Sequence, residues 1–164
     1  MSGTEPGWLA RARAEVGREW PAVQACDPVN APMIRHWQEA FGFALDWQPA
    51  EAPATMLQPW LFPGPSRARP PGSPTQDATA LMALFAEGGF SAAVTVSTEL
   101  ECLRPLVPGD RLDYLSALES IGDEKRTGLG LGRFLGFCFT VRDAAGQVVG
   151  RLRFTNLVYR PESA

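Results

Sequence analysis

Few residues in this chain could move a proton near neutral pH. His36 is the only histidine among 164 residues, and an imidazole is the usual shuttle for acid–base work in that range. It stands beside Trp37 inside an early helical stretch, where it reads as a capping or half-buried packing residue. Asp46 is the other weak candidate, a carboxylate with no proton-sharing partner near it. Cys26, Cys102 and Cys138 are odd in number and far apart, with no CxxC pair. They predict free, buried thiols, with no disulfide scaffold and no metal site. No serine sits in a GxSxG elbow, and one early histidine cannot complete a Ser-His-Asp arrangement. The run Gly128-Leu129-Gly130-Leu131-Gly132-Arg133 fails as a nucleotide loop. A GxGxxG needs glycine where Arg133 or Leu135 stands, and no βαβ unit surrounds it. The glycines read instead as places where a sheet bends or another group comes close.

Binding chemistry has more candidates. Arg67, Arg69 and Arg104 carry guanidinium groups suited to phosphates, with solvated loop arginines as the plainer alternative. Trp37, Trp47 and Trp60 read as core or pocket wall. Apolar residues make up 45% of the chain and charged ones 20%, with a net charge of −3. That balance gives no electrostatic reason for a nucleic-acid or anionic-membrane partner. The length suits one domain with a real core. The polar start, with no long apolar run after it, predicts neither a signal peptide nor a membrane span, and hence a cytoplasmic protein.

The elements that would position these residues are helical first and extended later. Trp8 to Glu19 reads as a helix, and Pro21–Cys26 as a short extended stretch. Asn30 is a good N-cap for a helix with Pro32 in its first turn and Met33, Ile34, Trp37 and Phe41 on one face, ending at Gly42. A second helix covers Ala54 to Trp60, and a third Ala78 to Glu87. Between them, five prolines from Pro63 to Pro74 exclude a helix; this stretch reads as a surface linker or a lid. From Phe90 the period becomes two. Four long strands are predicted at Ser91–Leu103, Arg111–Ile121, Thr127–Arg142 and Val148–Tyr159, with a hairpin loop at Asp143–Gln147 and turns at Pro108-Gly109-Asp110 and Gly122–Lys125. Short connections imply an antiparallel meander, and helices set before an antiparallel sheet imply an α+β fold.

The turn Arg104-Pro105-Leu106-Val107-Pro108-Gly109-Asp110 is similar to the "RP…PGD" turn of hot-dog acyl-CoA dehydratases and thioesterases. Together with DPVNAPMIRHWQEAFG (27–42), APATMLQPW (52–60) and ALMALFAEGGFSAAVTVSTELECLRPLVPGD (80–110), it resembles the MaoC-like, or FAS1-like dehydratase N-terminal, family. The likeness covers roughly residues 16 to 160 and is nearest to the MaoC-like domain of the larger subunit of heteromeric steroid side-chain enoyl-CoA hydratases. It implies a single hot-dog domain over residues 1–164: a curved antiparallel sheet around a central helix, here shortened. A helical extension at 1–26 and a Pro-rich insertion at 61–78 would be added to it.

Catalytic members of that family carry an Asp, then Asn-Pro, then His after the first helix. Here Phe43 stands at the aspartate position, and no Asn-Pro and no later histidine follow. The resemblance therefore implies a subunit without its own catalytic pair, partnered by a catalytic MaoC-like hot-dog subunit in a heterodimer or dimer of heterodimers. Phe43, Trp47, Met56 and Trp60 would shape the acyl pocket, and Arg67, Arg69 and Arg104 would meet CoA, which arrives as part of the substrate; no cofactor is implied. Pro59 and Pro63 break the central helix and would leave room for a wide acyl group such as a steroid or bile-acid side-chain thioester. Two alternatives stand beside this reading: a hot-dog thioesterase, with Glu87 as the acidic candidate, and a non-enzymatic acyl-CoA-binding partner of a thiolase-like complex.

Overall fold

The computed structural model describes residues 5–62 and 78–161. Among these residues four helices are present: α1 (Gly7–Ala14), α2 (Ala31–Phe41), α3 (Leu57–Leu61), entered through a 3₁₀ turn at Ala54–Met56, and α4 (Ala78–Glu87). Six strands, β1 (Val23–Gln24), β2 (Ala92–Cys102), β3 (Leu112–Ile121), β4 (Lys125–Thr127), β5 (Gly130–Asp143) and β6 (Val148–Pro161), form one antiparallel sheet. The fold is α+β, as expected.

Local chemistry sets the boundaries of α2. The Asn30 side chain accepts a hydrogen bond from the Met33 N–H at 3.0 Å, which satisfies one of the orphan donors of the first turn. Gly42 ends the helix at φ 70, in the left-handed region that favours glycine. The first helix is shorter than predicted, stopping at Ala14. The chain after it leaves the helix to run along β3. The Gly17 N–H donates to the Leu118 carbonyl at 2.8 Å and the Trp20 N–H to the Ser116 carbonyl at 2.8 Å. Backbone donors that a longer helix would have used are instead satisfied by the sheet.

The sheet order is β1-β3-β5-β6-β2, with β4 beside β5. The expected meander holds for β3, β5 and β6 but not for β2, which crosses to the far edge and pairs with β6. The connection between β2 and β3 is therefore no hairpin. Its Pro108-Gly109-Asp110 turn docks on the chain before α2: the Gly109 N–H donates to the Val29 carbonyl at 2.7 Å and the Val29 N–H to the Asp110 carbonyl at 2.9 Å. Between β3 and β5 lies the small strand β4, which starts at the last residue of the predicted turn and takes the first residue of the predicted strand Thr127–Arg142; its polar residues hide it from a search for apolar alternation.

The other turns behave as predicted. Asp143 accepts from the Ala145 and Gln147 N–H groups, both at 3.0 Å, and closes the β5–β6 hairpin. Gly132 is needed where β5 meets β6, since a Cβ there would stand 2.7 Å from the Val158 carbonyl oxygen.

Period-two alternation gives the sheet two unlike faces. On the inner face, Tyr114, Leu118, Leu135, Val141 and Leu152 are fully buried under α3 and the segments around it. The opposite face carries cross-strand ion pairs such as Arg142–Asp113 and Arg151–Glu101. Among the described residues no helix is long and apolar enough to cross a membrane.

Candidate functional site

The short helix α3 lies against the inner face. A Cβ added to Gly150 of β6 would stand 2.7 Å from the Leu57 side chain, so glycine there lets the helix seat closely. The helix stops at Leu61, and Phe62 turns onto the sheet, its ring 5.6 Å from Phe139, 6.0 Å from Phe154 and 6.4 Å from Tyr114. Beside it a cavity of about 320 Å³ remains open.

Its apolar wall is Trp20, Phe62, Phe137, Phe139 and Phe154; its polar atoms come from Gln58, Thr95, Ser116 and Asn156. The rings meet edge to face, with Phe139 and Phe154 5.3 Å apart at 90°, a packing that suits aromatic quadrupoles. Ser116 is 2% exposed, and Asn156 Oδ1 is buried with no hydrogen-bond partner. Among the described residues no Asp, Glu, His or Cys lines this cavity. It can hold an apolar body, and its described lining offers no side chain to take or give a proton at neutral pH.

A second depression of about 270 Å³ is more polar, with Asp27, Arg111, Asp113 and Asp143 on its rim. Two of its acids are already committed, Asp113 to Arg142 at 2.8 Å and Asp143 to Arg104 at 3.2 Å. Among the described residues no group of three His, Cys, Asp or Glu could hold a metal ion.

The site residues expected from sequence do not gather in one place. His36 is exposed on α2, not half-buried as its place beside Trp37 implied. Asp46 serves as a turn residue, its Oδ1 accepting from the Gln48 N–H at 2.9 Å. Phe43 and Trp47 are 56% and 71% exposed and do not line the cavity, so Trp47 is neither core nor wall of it. The Arg35 guanidinium lies over the Trp47 ring instead. Met56 and Trp60 are buried in the core under the sheet. Arg67 and Arg69 lie outside the described residues. Glu87 ends α4 at the surface and pairs with Arg11.

Arg104 bridges two carboxylates, Asp110 at 2.7 Å and Asp143 at 3.2 Å. Burial pushes the Asp110 carboxyl up, but hydrogen bonds from Arg104 and the Val107 N–H outweigh it and hold it below its ordinary value. Asp143 is likewise held low, chiefly by the Gln147 N–H and with help from Arg104. The guanidinium is thus a clamp joining the crossover turn to the β5–β6 hairpin. Of the three cysteines Cys138 alone is buried, and burial raises its thiol pKa.

Sequence reasoning did not name the cavity lining. Two signals for it were present: the odd positions 135, 137, 139 and 141 of β5 form one apolar row, and Asn156 interrupts an otherwise apolar inner row of β6.

The structure aligns with a chain of the ChsH1–ChsH2 complex of Mycobacterium tuberculosis at a TM-score of 0.77 and 26% identity, over 96% of this chain and 92% of that one. A MaoC-like dehydratase matches in fold at a TM-score of 0.53 and 21% identity, over 90% of this chain and 43% of that one. In sequence, a probable enoyl-CoA hydratase alpha subunit of Thermomonospora curvata is 39% identical over 99% of this chain and 54% of its own length. The chain is a MaoC-like hot-dog protein.

The 3-oxo-4,17-pregnadiene-20-carboxyl-CoA hydratase alpha subunit of Mycobacterium tuberculosis is also similar to this MaoC-like chain, at 32% identity over 68% of this chain and 39% of that one. The chain spans about half or less of the length of these curated relatives. No protein-family model matches it.

Proposed function

We propose that this MaoC-like chain is the non-catalytic half of a heteromeric enoyl-CoA hydratase for bulky acyl-CoA thioesters of the steroid or bile-acid side-chain class. The observation that carries the reading is an acyl-sized aromatic cavity on the inner face with no acid or base among the described residues of its wall. Hydration needs both. A base must take a proton from water as its oxygen bonds the β-carbon, and an acid must deliver a proton to the α-carbon.

A partner hot-dog subunit bearing the Asp and His would supply those groups. Two further features support a partner. A cavity of about 320 Å³ lies at the small end of the range for ligand pockets, enough to shelter part of a large thioester. Among the described residues strand β2 leaves one long edge of the sheet unpaired, with Val94, Val96 and Leu100 exposed. Such an edge is a ready template for another strand. The names of the relatives, alpha subunits of hydratases, point the same way. The early stop of α3 at Leu61, with the cavity beside Phe62, supports a wide acyl group.

The test is a hydration assay that follows loss of enoyl absorbance with crotonyl-CoA and with a steroid side-chain enoyl-CoA. The expected result is no turnover by the purified chain and turnover when a hot-dog subunit bearing the Asp/Asn-Pro/His motif is added. Turnover by the chain alone would overturn the non-catalytic assignment; release of free thiol would point to hydrolysis instead.

A further inference from the structure

Serine belongs mostly to protein surfaces, yet Ser116 stands mid-way along the inner row of β3, between the buried Tyr114 and Leu118, and is itself 2% exposed. Its hydroxyl makes no hydrogen bond among the described residues. The Asn156 carboxamide oxygen is unpaired because it is shut in; the Ser116 oxygen stays within reach of a water-sized molecule. The space beside it is the aromatic cavity, which Ser116 lines. A buried donor left unpaired costs stability, and an alanine would fill this row without that cost. The hydroxyl therefore reads as held for a polar atom that enters the cavity.

The cavity has a closed end and an open end. At the closed end the Trp20 N–H donates to the Ser116 carbonyl at 2.8 Å, and Trp20, 2% exposed, forms the wall beside it. At the open end stand Gln58 of α3 and Thr95 of β2, both exposed. Phe137, Phe139 and Phe154 lie on the two strands between, β5 and β6. An acyl body that enters past Thr95 and Gln58 crosses this aromatic stretch before its leading end meets the hydroxyl.

We infer that Ser116 is a specificity residue, pairing with an oxygen atom at the end of the acyl body remote from the thioester. The inference rests on the acyl-pocket reading and deepens it: the acyl group is oxygenated at its leading end rather than a plain hydrocarbon. A serine hydroxyl both donates and accepts, so it takes a hydroxyl or a carbonyl oxygen alike. A hydrocarbon end would strip water from the hydroxyl and return no bond. Thr95 and Gln58, being exposed, keep their water and impose no such penalty. With no acid or base among the described residues of the wall, Ser116 has no group to activate it and is not a nucleophile.

The experiment measures binding to the full chain by intrinsic tryptophan fluorescence, since Trp20 lines the cavity. The probes are 5β-cholanic acid and its 3-hydroxy and 3-oxo derivatives, whose oxygen lies at the ring end farthest from the carboxyl group. At least one derivative should bind about fivefold tighter than the parent acid, the gain that one neutral hydrogen bond supplies. In Ser116→Ala that advantage should vanish, while the parent acid binds at least as well as before. Equal binding of parent and derivatives to the native chain, the result if only water meets the hydroxyl, would overturn the inference and leave the acyl pocket standing. So would an advantage that survives Ser116→Ala. Binding by no member of the series would overturn the acyl-pocket reading itself. Ser116→Ala breaks no side-chain hydrogen bond among the described residues and should melt with the native chain, and the comparison within the native chain stands without it.

Discussion

The two long edges of this sheet are treated in opposite ways. At the β3 edge, the chain from Val16 to Ala25 runs alongside, bonding backbone to backbone through Gly17, Trp20, β1 and Ala25, and it drives Trp20 into the core against Phe137. At the other edge, β2 pairs only inward with β6 and shows nearly every residue to solvent, with a bulge between Thr95 and Ser97. An edge sealed by its own chain contributes to folding. An edge left long and partly apolar is open to pairing with another chain. The difference marks which side of the hot dog its own chain closes and which, on the proposed reading, is left for a partner.

That contrast can be broken most forcefully at its sealed side. Trp20→Ala removes a large ring that is 2% exposed and should cost about 3–5 kcal/mol, lowering Tm by of order 10 °C. A thermal melt checks it, and a shift within a degree or two would mean that the 16–25 segment is a passive cover.

Arg104→Met is next. The clamp on Asp110 and Asp143 joins the crossover turn to the β5–β6 hairpin, so Tm at neutral pH should fall, by less than for Trp20→Ala because the guanidinium is partly exposed. The sign of its pH dependence follows from the carboxyls being held below their ordinary values. Their contribution is complete above about pH 4 and is lost as pH falls through the lower folded values. The Tm gap between native chain and variant should therefore be widest near neutrality and narrow as the solution is acidified below about pH 4. A gap that stays constant would mean that Arg104 acts through packing alone.

The smallest effect on stability sharpens the other side. Val96→Lys on the open edge should leave Tm unchanged within about 0.5 kcal/mol of stability yet weaken association with a partner hot-dog subunit in size-exclusion chromatography. Unimpaired association would move the interface elsewhere, with the exposed Phe41, Phe43, Leu45 and Trp47 as the next surface to test.

Much of the architecture was legible because it is locally encoded. Asn30 and Gly42 bound α2 through caps that need only neighbouring residues, and the Asp143 turn follows from its own side chain. β4 was hidden because Lys125, Arg126 and Thr127 bring no apolar period. The shortened α1 was hidden because its competitor, the exposed edge of β3, lies a hundred residues away in sequence. The candidate site fared worse than the fold. Phe43 and Trp47 look like pocket residues by type, but their loop leaves them at the surface. Arg104 looks like a phosphate ligand until Asp110 and Asp143 are seen around it.

The sequence by itself determined the α+β class, most element boundaries, and the scarcity of proton-transfer groups, because composition and short-range periodicity are properties of neighbours along the chain. Tertiary structure decided where β2 lies, which aromatics enclose a cavity, and that the Asn156 carboxamide oxygen is buried without a partner. Those outcomes depend on strand order and on where a helix stops against a sheet. Residues distant in sequence meet there only after the chain has closed; the apolar row of β5 and its break at Asn156 in β6 tell which face turns inward, not what encloses the cavity.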